Sequence, residues 1–274
     1  MVIINRFTSS DGTRRYLLRL QDGESVESVL IPRDDRVTFC VSSQVGCALG
    51  CTFCLTGQLG LSRDLSADEI ISQVRLLQGE TQRRFSVVLM GMGEPLDNYD
   101  NVLRAIRYLH DGHGLKVPMK RITVSTAGLV PAIERLASEP LFPNLSISLT
   151  GATNKTRDAL MPINRKYPIE AVMEAIRKFP IARQKRVMFE CVMIKGVTDS
   201  PEDAAHLSEL VRDMRVKVNL IPLNPAEEIP YERSDDDAVR RFQEILVRNG
   251  TATFIRKNRG NDVFGACGQL KKKA

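Results

Sequence analysis

Arg36-Val37-Thr38-Phe39-Cys40-Val41-Ser42-Ser43-Gln44-Val45-Gly46-Cys47-Ala48-Leu49-Gly50-Cys51-Thr52-Phe53-Cys54 joins a short β-prone run to a loop carrying three cysteines. Val37, Thr38, Phe39 and Val41 favour a strand over residues 36–41. The loop has the spacing C-x₃-C-x₂-C at Cys47, Cys51 and Cys54, with no obvious fourth ligand. Iron–sulfur cubanes normally take four cysteine thiolates, so three leave one iron open to bind something that is not protein. The alternative tenant of such a loop is a structural zinc ion.

Further along the chain, β-rich runs alternate with amphipathic stretches, the pattern of βα units around a parallel sheet. Strands are expected over 36–41, 85–90, 121–125, 144–149, 187–194 and 217–221. Helices are expected over 66–77, 99–110, 129–138, 169–179, 201–213 and 235–248. Ser66 and Glu69 form a capping-box pattern, and Ile70, Ile71, Val74 and Leu77 follow as an apolar stripe. The fold class is therefore α/β, with six units closing part of a (β/α)6 barrel. Residues 1–32 are expected to be a small β-hairpin extension, turning at Ser10-Asp11-Gly12 and Gln21-Asp22-Gly23. Residues 33–274 form the core and end in a segment bearing Cys267.

In α/β barrels, sites gather at the C-terminal ends of the strands. The cysteine loop follows the first expected strand, Gly91-Met92-Gly93-Glu94-Pro95 the second, Ser125-Thr126-Ala127-Gly128 the third and Thr150-Gly151 the fourth. Two glycines let backbone approach a ligand closely, and the Glu94 carboxylate can accept from an ammonium; a plain tight turn has the same pattern. Cys267, between small residues, reads as a reactive thiol. Cys40 reads equally as a buried small hydrophobe, Cys191 as a strand residue, and Glu27 as a surface strand carboxylate.

The 274 residues are 43% apolar and 26% charged, and no apolar run approaches the roughly 18 residues that span a bilayer. The N-terminus lacks signal-peptide features, so a cytoplasmic location is expected, where clustered thiols serve metal binding or catalysis rather than disulfides. The net charge is +6 and the isoelectric point about 9.1. Basic residues gather at Lys116/Lys120/Arg121, Arg165/Lys166, Arg177/Lys178, Arg183/Lys185/Arg186, Arg256/Lys257/Arg259 and Lys271/Lys272/Lys273. Any one cluster reads as a solvated face; together with the cysteine loop they suggest RNA.

The cysteine spacing resembles that of radical S-adenosylmethionine (SAM) enzymes, and further motifs make the resemblance narrower. Ser10-Asp11-Gly12-Thr13-Arg14, Val26 to Pro32, Cys40 to Cys54, Gly91 to Tyr99, Met161-Pro162-Ile163-Asn164-Arg165-Lys166-Tyr167, Leu220 to Pro225 and Arg256 to Leu270 are similar to the RlmN/Cfr family of radical SAM RNA adenine methyltransferases. The resemblance covers about residues 8–270. It implies a 4Fe-4S cluster on Cys47, Cys51 and Cys54, and SAM contacts at Gly93, Glu94, Ser125, Ser148, Leu149, Thr150 and Asn224. It also implies that Cys267 carries the methyl group, that Cys40 resolves a covalent RNA adduct by forming a Cys40–Cys267 disulfide, and that Glu27 accepts a proton. The implied partners are ribosomal or transfer RNA and an electron donor such as flavodoxin or ferredoxin, with no membrane and a monomeric enzyme.

The chain departs from the pattern at three points. It begins close to the first matching motif, without the family's N-terminal helical domain; Thr150 stands where His is common; and Cys191 stands where an aromatic is common. Carbon 2 of adenine is the favoured target on the strength of Glu94-Pro95-Leu96, with carbon 8 the alternative. A non-RNA acceptor and a zinc-dependent RNA-binding protein are the rival readings.

Overall fold

A computed structural model describes residues 1–180 and 186–271; the basic residues Arg183, Lys185, Lys272 and Lys273 lie outside the described residues. The chain opens with an antiparallel meander, β1 (Val2–Thr8), β2 (Arg14–Arg19) and β3 (Ser25–Arg33). β4 (Arg36–Val41) pairs antiparallel with β3, with Cys40 opposite Val29, so the expected hairpin extension is three strands that continue the main sheet. β5 (Gln44–Cys47) then leads into the cysteine loop, which passes through α1 (Leu55–Gln58) and returns as β6 (Gly60–Asp64) beside β5.

The alternating units follow: α2 (Ala67–Gly79), β7 (Arg84–Leu89), α3 (Tyr99–His110), β8 (Ile122–Thr126), α4 (Val130–Ala137) and β9 (Asn144–Ser148). After them come α5 (Asn154–Leu160), α6 (Ile169–Lys178), β10 (Val187–Met193), α7 (Pro201–Leu210), β11 (Val216–Pro222), α8 (Asp236–Arg248) and β12 (Ala252–Ile255). The large sheet runs β1-β2-β3-β4-β7-β8-β9-β10-β11-β12, parallel from β4 onward. The four-residue β12 adds a seventh parallel strand to the six expected. Among the described residues β1 and β12 do not pair, so the barrel is open.

Parallel strands buried on both faces read as apolar runs; β10, Val-Met-Phe-Glu-Cys-Val-Met, alternates only between buried and half-buried. The helices cover the sheet with one apolar stripe each. In α3 this is Val102, Leu103, Ile106 and Leu109; in α8 it is Val239, Phe242 and Leu246. The Ser66–Glu69 capping box is present, with Glu69 N–H donating to Ser66 Oγ at 3.2 Å and Ser66 N–H to Glu69 Oε2 at 2.9 Å. A second apolar cluster of Leu55, Ala127, Leu160, Met161, Ile194, Leu223 and Ile229 has Cys51 and Phe53 of the cysteine loop packed against it. Among the described residues no helix is long and apolar enough to cross a membrane.

Candidate active site

Cys47 closes β5, and Cys54 is the residue immediately before α1. The backbone N–H of Leu49 favours the thiolate of Cys47, and those of Gly57 and Thr56 favour that of Cys54. Burial pushes the Cys47 thiol up to about 12, and it raises those of Cys51 and Cys54 as well. The charges of Cys54 and Cys47 raise Cys51 further, so the three sulfurs lie within electrostatic reach of one another. Three thiolates so close need a cationic centre, and amide hydrogen bonds to sulfur are the usual surroundings of iron–sulfur ligands. Among the described residues no three His, Cys, Asp or Glu side chains converge to hold a single ion. A cubane does not require this, because each thiolate binds its own iron. The donor set and its surroundings fit a 4Fe-4S cluster.

The C-terminal segment is pinned against this loop. Leu55 N–H donates to Gly268 O at 2.8 Å, and the Thr56 hydroxyl to Leu270 O at 2.7 Å. Asn224 Nδ2 donates to Cys267 O at 3.0 Å, and Gln269 Nε2 to Pro225 O at 2.9 Å. Cys267 keeps exposed surface, yet burial raises its thiol pKa, with the charge of Arg256 acting against the rise. Cys40 is buried and pushed up to about 12, first by burial and then by the charge of Cys267. Arg256 acts on both thiols and lies 3.5 Å from Glu190 Oε1. The two cysteines, distant in sequence, therefore face a common centre.

In the loop after β7, Gly93 adopts φ +99°, and a Cβ there would lie 2.5 Å from Gln44 Cβ, so only glycine fits. Glu94 N–H donates to Gln44 Oε1 at 2.8 Å. The Glu94 carboxylate accepts from Ala127 N–H at 2.8 Å and Leu96 N–H at 3.0 Å, while burial pushes its pKa up to about 7. Ser125 Oγ and Ser148 Oγ are 3.5 Å apart across β8 and β9. Leu149 and Thr150 follow β9, both N–H groups donating to Glu190 O. Thr150 Oγ1 and Asn224 Oδ1 are buried without a partner, a cost normally met by a ligand or water. These residues fit an amino-acid-bearing cofactor.

Glu27 corrects the surface-carboxylate reading: it is fully buried on β3, ion-paired with Arg15, with Oε2 accepting from Lys271 N–H at 3.0 Å. It joins the C-terminal segment through Lys271 rather than through Cys267. Cys191 is a buried residue of β10.

Arg157 was not singled out by the sequence, because charged residues in a polar helix read as surface. It is fully buried, and its guanidinium donates to the carbonyls of Ala127 (2.8 Å), Ser148 (3.0 Å) and Leu149 (2.7 Å), and to Asn164 Oδ1 (2.9 Å). It ties together the loops after β8 and β9. Burial lowers its pKa to about 10, partly offset by the nearby Cys51.

A family model described as the Radical SAM superfamily matches residues 41–208. With the open parallel sheet and its three-cysteine loop, this defines a radical SAM enzyme, whose cofactors are a 4Fe-4S cluster and SAM. The crystal structure of a radical SAM methyltransferase from Sphaerobacter thermophilus superposes with a TM-score of 0.95 at 42% identity, covering 99% of this chain and 81% of that one. The dual-specificity RNA methyltransferase RlmN of Syntrophobacter fumaroxidans is 47% identical over 271 residues, 98% of this chain and 79% of the relative. That of Geobacter sulfurreducens is 48% identical over 265 residues, 97% and 73% of the two chains. The chain belongs to the RlmN family of radical SAM methyltransferases.

Proposed function

We propose that this chain methylates a ring carbon of adenine in ribosomal or transfer RNA, carbon 2 in preference to carbon 8, with Cys267 carrying the methyl group. The observation that carries the reading is the juxtaposition at Cys267: an exposed thiol, pinned beside the cluster loop, sharing Arg256 with the buried Cys40. The names of the RlmN relatives supply the RNA.

Carbon 2 of adenine is electron-poor and has no useful nucleophilicity, so ordinary polar methyl transfer does not reach it, whereas a carbon radical does. When bound, the cluster and SAM supply the methyl group and a 5′-deoxyadenosyl radical. Cys47, Cys51 and Cys54 hold the cluster. Glu94 receives the SAM ammonium, and Gly93, Ser125, Ser148, Leu149, Thr150 and Asn224 line the rest of SAM; the unpartnered Thr150 Oγ1 and Asn224 Oδ1 support this. Cys267 loses its thiol proton and takes a methyl group, which then gives up one hydrogen and bonds to the adenine carbon. Glu27 accepts the proton leaving that carbon, and the one unpaired electron left on the ring would return to the cluster, so that the adduct is closed-shell. Cys40 then gives up its thiol proton and attacks the Cys267 sulfur, the sulfur–carbon bond breaks, the methylene takes a proton, and a Cys40–Cys267 disulfide forms. Glu94-Pro95-Leu96 supports carbon 2. The electron donor is a flavodoxin or ferredoxin, and the enzyme acts as a monomer in the cytoplasm.

The test is nucleoside mass spectrometry after anaerobic incubation of the reconstituted protein with SAM, a reductant and separate pools of unmodified ribosomal and transfer RNA. New 2-methyladenosine is expected. A product of 8-methyladenosine overturns the carbon assignment, and SAM cleavage without any methylated adenosine overturns the RNA acceptor.

A further inference from the structure

The open side of the barrel is bridged by the chain that follows β12. Gly260 N–H donates to Asp11 Oδ2 at 3.1 Å, and Ser10 N–H to Asp262 Oδ2 at 3.0 Å, stitching this segment to the β1–β2 turn. A Cβ at Gly260 would lie 2.7 Å from Thr13 Cγ2, and one at Gly12 would lie 3.4 Å from Pro32 Cγ. Arg259 and Arg33, the immediate neighbours of Gly260 and Pro32, are thus carried by two segments packed on one turn. Arg36 stands opposite Arg33 in the β3–β4 register. Arg256 reaches inward to Glu190, and its charge acts on the thiols of Cys40 and Cys267.

These four guanidinium groups repel one another. Arg33 is held below its ordinary pKa by burial and then by Arg256, Arg36 and Arg259, with Asp34 the one opposing charge. Among the described residues Arg33, Arg36 and Arg259 form no ion pair, in a chain where other exposed arginines, such as Arg107, Arg135 and Arg240, do. Like charges gathered with few counter-charges cost stability, and a polyanion that binds there recovers it by releasing its counterions. A second observation lies on the same rim. Phe264, three residues before Cys267, is 38% exposed and sits at φ 53°, an uncommon conformation for a residue with a side chain, with Lys271 Nζ 4.8 Å from its ring centroid. An exposed ring beside cationic groups is how proteins hold an unstacked base next to a neutralised backbone.

We propose that Arg33, Arg36 and Arg259, together with the ring of Phe264, clamp a single-stranded RNA segment, the arginines on its phosphodiesters and Phe264 on a base flanking the target adenine. The inference rests on the RNA reading given above and adds where the strand is gripped. The grip spans the seam between the N-terminal strands and the segment after β12, so the adenine that leaves the stack is presented at Cys267.

The test is a salt titration of fluorescence anisotropy, using the reconstituted full chain and a fluorescein-labelled oligouridylate with one central adenosine. Wild type should lose affinity linearly in log salt, and Arg33→Gln/Arg259→Gln should shallow that slope by about 0.7 per arginine. Phe264→Ala should weaken binding about tenfold with the slope unchanged. A control with the same charge change on α3 and α8, Arg104→Gln/Arg248→Gln, should leave the slope as in wild type. Thermal melts and iron content report folding; if the double variant folds poorly, the single Arg33→Gln, on an exposed turn, carries the test with half the slope change. An unchanged slope in the arginine variants, or an equal loss in the control, overturns the clamp while leaving the RNA reading intact. Wild-type protein that binds RNA without salt dependence, or not at all, overturns both.

Discussion

At Glu94 burial and hydrogen bonding act on one carboxylate in opposite directions. Two backbone N–H groups favour its ionised form, yet burial prevails and its pKa stands at about 7. Because this lies above the ordinary value of 4.5, the neutral acid stabilises the folded, ligand-free protein at low pH, and that contribution is lost as pH rises through about 7. An ammonium ligand needs the opposite state. SAM affinity should therefore be flat above about pH 7 and fall towards tenfold per unit below it; calorimetric titration across this range checks it, and a flat profile would remove Glu94 as the ammonium's partner. The thiols differ by exposure in the same way. Cys40 is 7% and Cys191 3% exposed, both pushed up to about 12 by burial, whereas Cys267 is open to solvent. Iodoacetamide at mildly alkaline pH should label Cys267 of the native holoprotein well before either of the others. Peptide mapping that found Cys191 labelled as fast would contradict the buried β10 environment.

Among the elements, α2 has an explicit start, since the Ser66 and Glu69 side chains each satisfy an N–H that would otherwise be orphaned. Ser66→Ala should cost about 1 kcal/mol and lower the melting temperature by about 2 °C; a melt matching wild type would show that the cap contributes nothing here. The same regularity made this helix and most others legible from sequence. β4 and α3 fall on the expected residues, and the remaining expected strands and helices match to within a few positions. Elements without periodic burial were not legible. β6 is mostly exposed and exists because β5 offers it a ladder. β12 has four residues, and α5 is mostly polar, burying only Arg157 and Leu160. The site divides along the same line. Cysteine spacing and glycine-rich turns are local patterns, while the burial of Glu27, the Arg157 hub and the Glu190–Arg256 pair arise only when distant strands meet.

At the scale of the whole molecule, the last segment of the chain completes a site begun by the first parallel strand. Residues 260–271 bond to the β1–β2 turn through Asp11, to β3 through Glu27, and to the cluster loop through Leu55 and Thr56. Cys40 is fixed in β4 with about 7% exposure, and Arg256 acts on both it and Cys267. Such an arrangement suits a thiol that acts late, since buried Cys40 has little reactivity until a sulfur is brought against it. If the proposed chemistry holds, Cys40→Ala should still methylate Cys267 and bond its carbon to adenine, but nothing remains to attack the sulfur. A protein–RNA species that survives denaturing electrophoresis and disappears on ribonuclease treatment should then accumulate. Cys267→Ala should give neither product nor linked species while keeping its iron, which separates loss of the methyl carrier from loss of the cluster. A Cys40→Ala protein that turns over and migrates free of RNA would strip Cys40 of its assigned role and leave it a buried residue of β4 alone.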